Sequence, residues 1–143
     1  MAVDPSFAPM AELLPEPTAL NAPYWEGLAA GELRIQQCSA CDTYQQPPES
    51  FCYACGSSAV AWKTVPGHGQ VYSFVVVHQP YHVAFRDRLP YVVATIQLDE
   101  GPRVLGPIFD VDPSSMAIGT RVQPRIEAVT DDSAILLFEP EAS

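Results

Sequence analysis

Cys38-Ser39-Ala40-Cys41 and Cys52-Tyr53-Ala54-Cys55 decide how this chain is read. The two pairs are ten residues apart and contain all four cysteines of the chain. A Cys-x-x-Cys pair forms a tight knuckle that aims two thiolates at one point, and two knuckles complete a tetrahedral S4 site. Gly56 follows the second pair, where the turn calls for positive φ, a conformation glycine adopts without steric cost. Asp42 holds the equivalent place after the first pair, and aspartate tolerates that conformation better than most residues. Four cysteine ligands leave no open position for water or substrate, so Cys38, Cys41, Cys52 and Cys55 read as a structural zinc site. Iron in a rubredoxin-like site is the lesser alternative, because S4 geometry alone does not separate the two metals. Disulfides would require an oxidising compartment, of which the sequence gives no sign. Bound zinc supplies an apparent ~10–16 kcal/mol to modules too small to fold on apolar burial.

Upstream of the knuckles, Leu33, Ile35 and Gln37 alternate with polar neighbours and predict a strand entering the ribbon. Before it, Asn21 is placed to cap a short helix with Tyr24, Trp25 and Leu28 as its apolar stripe and Gly31 as its stop. Tyr24 and Trp25 suit either core packing or docking against a partner. Residues 1–20 hold Pro5, Pro9, Pro15 and Pro17 with no sustained period, and read as a flexible or extended leader. Between the knuckles, Pro47 and Pro48 lack N–H groups and cannot join a regular ladder.

Downstream, Trp62 and Val65 are placed to close the ribbon onto the second half of the chain, and Pro66-Gly67-His68-Gly69 is a turn and module boundary. The pattern then turns to β. Runs at 71–78, 91–98, 103–109, 121–129 and 134–138 are rich in β-branched and aromatic residues. Residues 112–119 read as one or two helical turns, with Pro113 near the start and Gly119 at the end. Five strands with a short helix between the third and fourth is the layout of an OB-fold barrel, an open sandwich being the alternative. Pro124 inside the fourth run suggests an edge or a bulge. The chain is therefore expected to be mainly β: leader 1–20, helix plus zinc ribbon 21–66, and five-stranded barrel 67–143.

The chain has 143 residues, 48% of them hydrophobic, enough for a sizeable core. No run approaches ~18 consecutive apolar residues, so no transmembrane helix is expected. The first residues lack a basic, apolar secretory signal, which favours a cytoplasmic protein. Seven Lys plus Arg against seventeen Asp plus Glu give a net charge of −10, a poor balance for generic nucleic-acid binding.

The order of these features resembles a known family. The features are Tyr24-Trp25-Glu26-Gly27-Leu28, the paired knuckles, Gly67-His68-Gly69-Gln70-Val71-Tyr72-Ser73, Pro90-Tyr91-Val92-Val93-Ala94, Leu98-Asp99-Glu100-Gly101-Pro102-Arg103, and Ile118-Gly119. From about Tyr24 to Pro140 the chain resembles the acyl-CoA-associated family with a rubredoxin-like zinc ribbon followed by an OB-fold, long catalogued as a domain of unknown function. The resemblance implies an accessory, non-catalytic subunit that braces a thiolase-like or hydratase-like protein (thiolase, aldolase or acyltransferase). It also implies a role in shaping an acyl-CoA site, with lipid or steroid breakdown among the pathways it opens. The family takes its catalytic residues from the partner, so only the four cysteines carry over. Asp42 replaces a usual glycine, and Glu49 stands where a basic residue commonly follows the proline pair.

The residues themselves offer little independent chemistry. Pro80 separates His78 from His82 and breaks any helix that would align them as ligands, and no GxSxG, phosphate loop or HExxH is present. The 79–89 loop carries Tyr81, Phe85, Arg86 and Arg88, two aromatics and two of the seven basic residues. With Tyr24 and Trp25 they are the candidate contacts for a partner or for CoA phosphates. Two other classes stay open: a single-stranded nucleic-acid-binding OB module, and a stand-alone acyl-CoA-binding protein.

Overall fold

The computed structural model describes residues 2–142. Helix α1, Ala22–Ala29, has Pro23 in its first turn, where a missing N–H costs nothing. Gly31 beyond its C-terminus has φ +81°, a left-handed stop that suits glycine. Asn21 occupies the N-cap, but its side chain does not cap the helix. Its Oδ1 accepts instead from Thr18 N at 2.7 Å, closing the turn that feeds the helix.

Strand β1, Leu33–Cys38, pairs antiparallel with the short β2, Tyr44–Gln45, on one side and with β3, Val60–Val65, on the other. The burial of β1 departs from simple alternation. Gln36 is buried and Gln37 is only half-buried, because the loop through Pro47 and Phe51 covers the second face of the strand where Gln36 lies. That loop is held by the side chains of Gln36 and Gln45.

The barrel is built from strands β4 (Gly69–Val77), β5 (Tyr91–Leu98), β6 (Arg103–Ile108), β7 (Arg121–Thr130) and β8 (Ser133–Pro140), within a residue or two of the expected runs. Their order across the sheet is β6-β5-β4-β7-β8, all antiparallel. The sheet coils until β6 meets β8 by packing alone: a Cβ on Gly106 would lie 2.9 Å from the Phe138 ring. This is a partly open five-stranded barrel. Pro124 breaks no ladder, since β7 pairs with β4 only at Arg121 and Val122 and is free of it from there on. The expected bulge lies further along, between Ala128 and Thr130. The helical turn between β6 and β7 is a 3-10 helix at Pro113–Ser115, capped by the Asp112 carboxylate accepting from Ser114 N.

One apolar core runs through both parts. Leu28 of α1, Leu33 and Ile35 of β1 and Val65 of β3 share it with Val92, Ile96, Val122 and Phe138 of the barrel. The turn at Pro66–Gly69 thus separates two sets of strands without dividing the core. The N-terminal residues depart from the leader reading. Residues Ala8–Leu13 form a 3-10 helix, and Phe7 and Met10 are almost wholly buried against Tyr91, Phe109, Val129 and Leu137. Two large apolar side chains spaced three apart gain enough from burial to hold a proline-rich segment on the barrel.

Candidate metal centre

The two knuckles are near copies of each other. Asp42 N donates to Cys38 O at 2.9 Å, and Gly56 N donates to Cys52 O at 2.9 Å. Ala40 N and Ala54 N each donate to the first sulfur of their own knuckle at 3.3 Å. Asp42 (φ 65°) and Gly56 (φ 76°) both turn the chain in the left-handed region, as their places after the second cysteines predict.

The four sulfurs lie within 4.8 Å of one another, and the Cys38–Cys55 and Cys41–Cys52 separations are both 3.6 Å. Bonds of about 2.3 Å from zinc to sulfur place tetrahedral sulfurs about 3.8 Å apart, so one such ion fits between them. All four cysteines are free of disulfides. Their protonation points the same way. A hydrogen bond with Thr43 lowers the Cys41 thiol to about 6. Cys55 is pushed up to about 12: a backbone hydrogen bond from Ser57 lowers it, but proton sharing with Cys38 and Cys41 outweighs that. Thiols packed this closely cannot all ionise on their own, and a divalent cation removes the conflict.

Second-layer support comes from two glutamines that sequence reasoning passed over. Gln45 Nε2 donates to Gln36 Oε1 at 2.9 Å and to Phe51 O at 3.0 Å. Glu49 N donates to Gln36 Oε1, and Tyr53 N to Gln45 Oε1, each at 2.9 Å. The network ties β1 and β2 to the segment that delivers Cys52 and Cys55. Polar residues flanking a CxxC pair on a strand were the available signal.

The six candidate contact residues divide. Tyr24 and Trp25 pack edge to face, 5.2 Å between centroids, against the main core, and burial pushes the Tyr24 hydroxyl up to about 12. Phe85 stacks on Tyr91 at 5.4 Å inside the second core. Arg88 is drawn inward: its guanidinium lies 4.2 Å from the Phe7 centroid and 4.8 Å from that of Phe109, and it donates to Ser6 Oγ at 2.8 Å. Tyr81, 78% exposed, and Arg86 remain on the surface. Residues Val83–Arg88 form a 3-10 helix within the expected loop, capped by the His82 ring accepting from Ala84 N.

Residues 25–61 match the family described as "ChsH2, rubredoxin-like zinc ribbon domain", and residues 62–127 match "ChsH2, C-terminal OB-fold domain". A "DUF35 domain-containing scaffold protein" of Methanocaldococcus jannaschii is 33% identical over 100 residues, 67% of this chain and 68% of that protein. The chain belongs to the DUF35 family. The four cysteines of its rubredoxin-like ribbon are placed to bind one metal ion, consistent with structural zinc.

Other relatives are longer. The "probable enoyl-CoA hydratase alpha subunit" of Thermomonospora curvata is 42% identical over 104 residues, 71% of this chain and 31% of that protein. The "3-oxo-4,17-pregnadiene-20-carboxyl-CoA hydratase alpha subunit" of Mycobacterium tuberculosis is 36% identical over 115 residues, 80% of this chain and 36% of that protein. The chain thus spans about a third of the length of these two relatives. Among solved structures, a chain of the "Ltp2-ChsH2(DUF35) aldolase" superposes with a TM-score of 0.80 at 35% identity, covering 89% of this chain and 98% of that one. A DUF35 protein of unknown function from Sulfolobus solfataricus, at 15% identity and a TM-score of 0.60, shares the fold.

Proposed function

We propose that this DUF35 chain is a non-catalytic accessory subunit of a thiolase-like acyl-CoA enzyme, of aldolase type. The match to nearly the whole of the DUF35 chain in the Ltp2-ChsH2 aldolase carries this reading. The chain's own groups support it. The metal centre is a closed S4 staple with no position for substrate, so its chemistry is structural. Zinc, when bound, supplies folding free energy at the knuckles, and the reacting groups come from the partner.

The charge distribution favours this reading over the nucleic-acid one. Arg34, Arg121 and Arg125 are each paired within the chain, by Glu32, Asp99 and Glu127 respectively, and Arg88 is held by Ser6 and Phe7. Among the described residues, that leaves Lys63, Arg86 and the terminal nitrogens of Arg103 without an acceptor, too few for a strand-tracking groove. Arg86, exposed like Tyr81 in the same 79–89 segment, is the proposed contact for a CoA phosphate. The units within the subunit are residues 21–66 and 67–143. The reading includes a cytoplasmic setting, whose reducing conditions suit four cysteines gathered as a metal site without a disulfide. Among the described residues no helix is long and apolar enough to cross a membrane.

The test mixes the purified chain with the Ltp2 subunit and reads mass by light scattering and cleavage of an acyl-CoA aldol. Co-elution at fixed stoichiometry, with activity absent from the chain alone, is expected. Turnover by the isolated chain would contradict the reading. So would single-stranded DNA or RNA binding that falls steeply with salt while no complex forms.

A further inference from the structure

The barrel strands β4, β5 and β6 have two faces whose fates differ. Inward rows join the main core: Phe74, Ala94 and Gly106 lie side by side, as do Val76, Val92 and Ile108, with Phe74 and Val76 partly buried. The outward rows are Val75–Val93–Pro107 and Ser73–Thr95–Leu105, with Gln97 beside Arg103 at the end. At one end of this outer face the chain covers itself, as the Ala8–Leu13 and Val83–Arg88 segments bury Tyr91 and Phe109. At the other end no described residue covers it. Leu105 is 70% exposed, Val75 61% and Tyr72 48%. Such β-branched and leucine side chains on a three-stranded surface are the composition of a sheet buried on both faces.

Charge says what belongs there. In a chain of net charge −10, these outward rows contain no carboxylate. Their one charged group is Arg103, whose guanidinium lies 3.7 Å from the Tyr72 centroid while its Nε donates to Gln97 Oε1 at 2.9 Å. Stacking and that bond fix the plane of the guanidinium. Its terminal nitrogens have no partner among the described residues and are held ready for a bidentate acceptor. Leu105 and Pro107 also wall an apolar groove of about 300 Å³ that reaches Trp25 and Leu13, so the face and the groove form one continuous surface.

We propose that this bare outer face of β4–β5–β6 is where the thiolase-like subunit docks. The partner presents an apolar surface with one carboxylate opposite Arg103. The proposal rests on the subunit reading given above. It places the contact on the barrel strands and asks nothing of the metal ligands.

The test measures affinity of the full-length, zinc-loaded chain for the Ltp2 subunit by calorimetry. Leu105→Arg and Val75→Arg are expected to weaken binding by roughly 30-fold or more, as central interface anchors do. Arg103→Glu weakens it by about tenfold or more by opposing the carboxylate. Val83→Arg, an exposed apolar position outside these rows, leaves it within about threefold. Unchanged thermal melts and zinc content show that each variant is folded. Complexes that form equally well with all four variants overturn the docking face while the subunit reading stands. Failure of the parent chain to bind overturns both. A homodimer of the chain that Leu105→Arg dissociates, with no Ltp2 complex, makes a second copy the occupant and also overturns the proposal.

Discussion

The knuckles and the barrel solve the same problem with different interactions. Around the knuckles, from Gln36 to Cys55, few apolar side chains are buried: Phe51 and Tyr53 stand about half exposed, and Gln36 and Gln45 take interior places. Four sulfurs, two turns of positive φ and a glutamine network hold that region. The barrel has positive-φ turns too, but among the described residues no metal-ligating cluster and no buried glutamine pair. Its interior is Val71, Val92, Ile96, Val122, Leu136 and Phe138, wholly apolar and continuous with α1. A ribbon tip too small to bury much surface depends on coordinate bonds, whereas a five-stranded sheet depends on area removed from water.

The largest effect separates the two. Replacing Cys52 with Ser leaves three thiolates, and the tip loses most of the apparent ~10–16 kcal/mol that such sites derive from zinc. Metal content measured by mass spectrometry falls to background, and the barrel melt persists. Phe138→Ala attacks the other region. Phe138 is 1% exposed and packs over Gly106, so its loss costs about 3–5 kcal/mol in a denaturant melt. Zinc stoichiometry stays at one per folded chain. A barrel variant that released zinc at the same rate as the cysteine variant would erase the distinction.

Smaller substitutions sharpen it. Gln45→Ala strands the Tyr53 N–H and the Phe51 carbonyl oxygen, costing about 1–3 kcal/mol at the tip, read as weaker zinc affinity in a competition titration. Next, Gly56→Ala forces an alanine to φ 76°, a loss of about 1–2 kcal/mol.

The least effect falls at the seam between the regions. Glu100 lines the cleft facing Gln46 and Tyr53, and burial raises its carboxyl above the ordinary value. A raised folded value favours the protonated form, so this contribution to stability is full below the unfolded pKa and is lost as pH rises through the folded one. Glu100→Gln therefore melts slightly higher than the parent at neutral pH, and the gap closes in acid.

How much of this was legible beforehand divides along the same line. Cysteine spacing carries the metal site because chemistry fixes both ligand type and reach. The five β runs were readable because barrel strands concentrate β-branched residues. What escaped depends on tertiary cover. Gln36 looks like a solvated position until the proline loop folds over it, and Phe7 and Met10 have no period to mark them among the prolines. Arg88 reads as a surface cation, yet two aromatic rings from distant segments enclose it. The shared core across Pro66–Gly69 was hidden for the same reason, since a turn signal reports local chain direction and says nothing of what packs on either side.

Amide hydrogen exchange of the full chain, before and after zinc is stripped with a chelator, tests the two-region account most directly. Amides at 38–58 should lose protection while those of β5 and β8 keep theirs. Uniform loss of protection across the barrel, or knuckles that stay protected without metal, would contradict it.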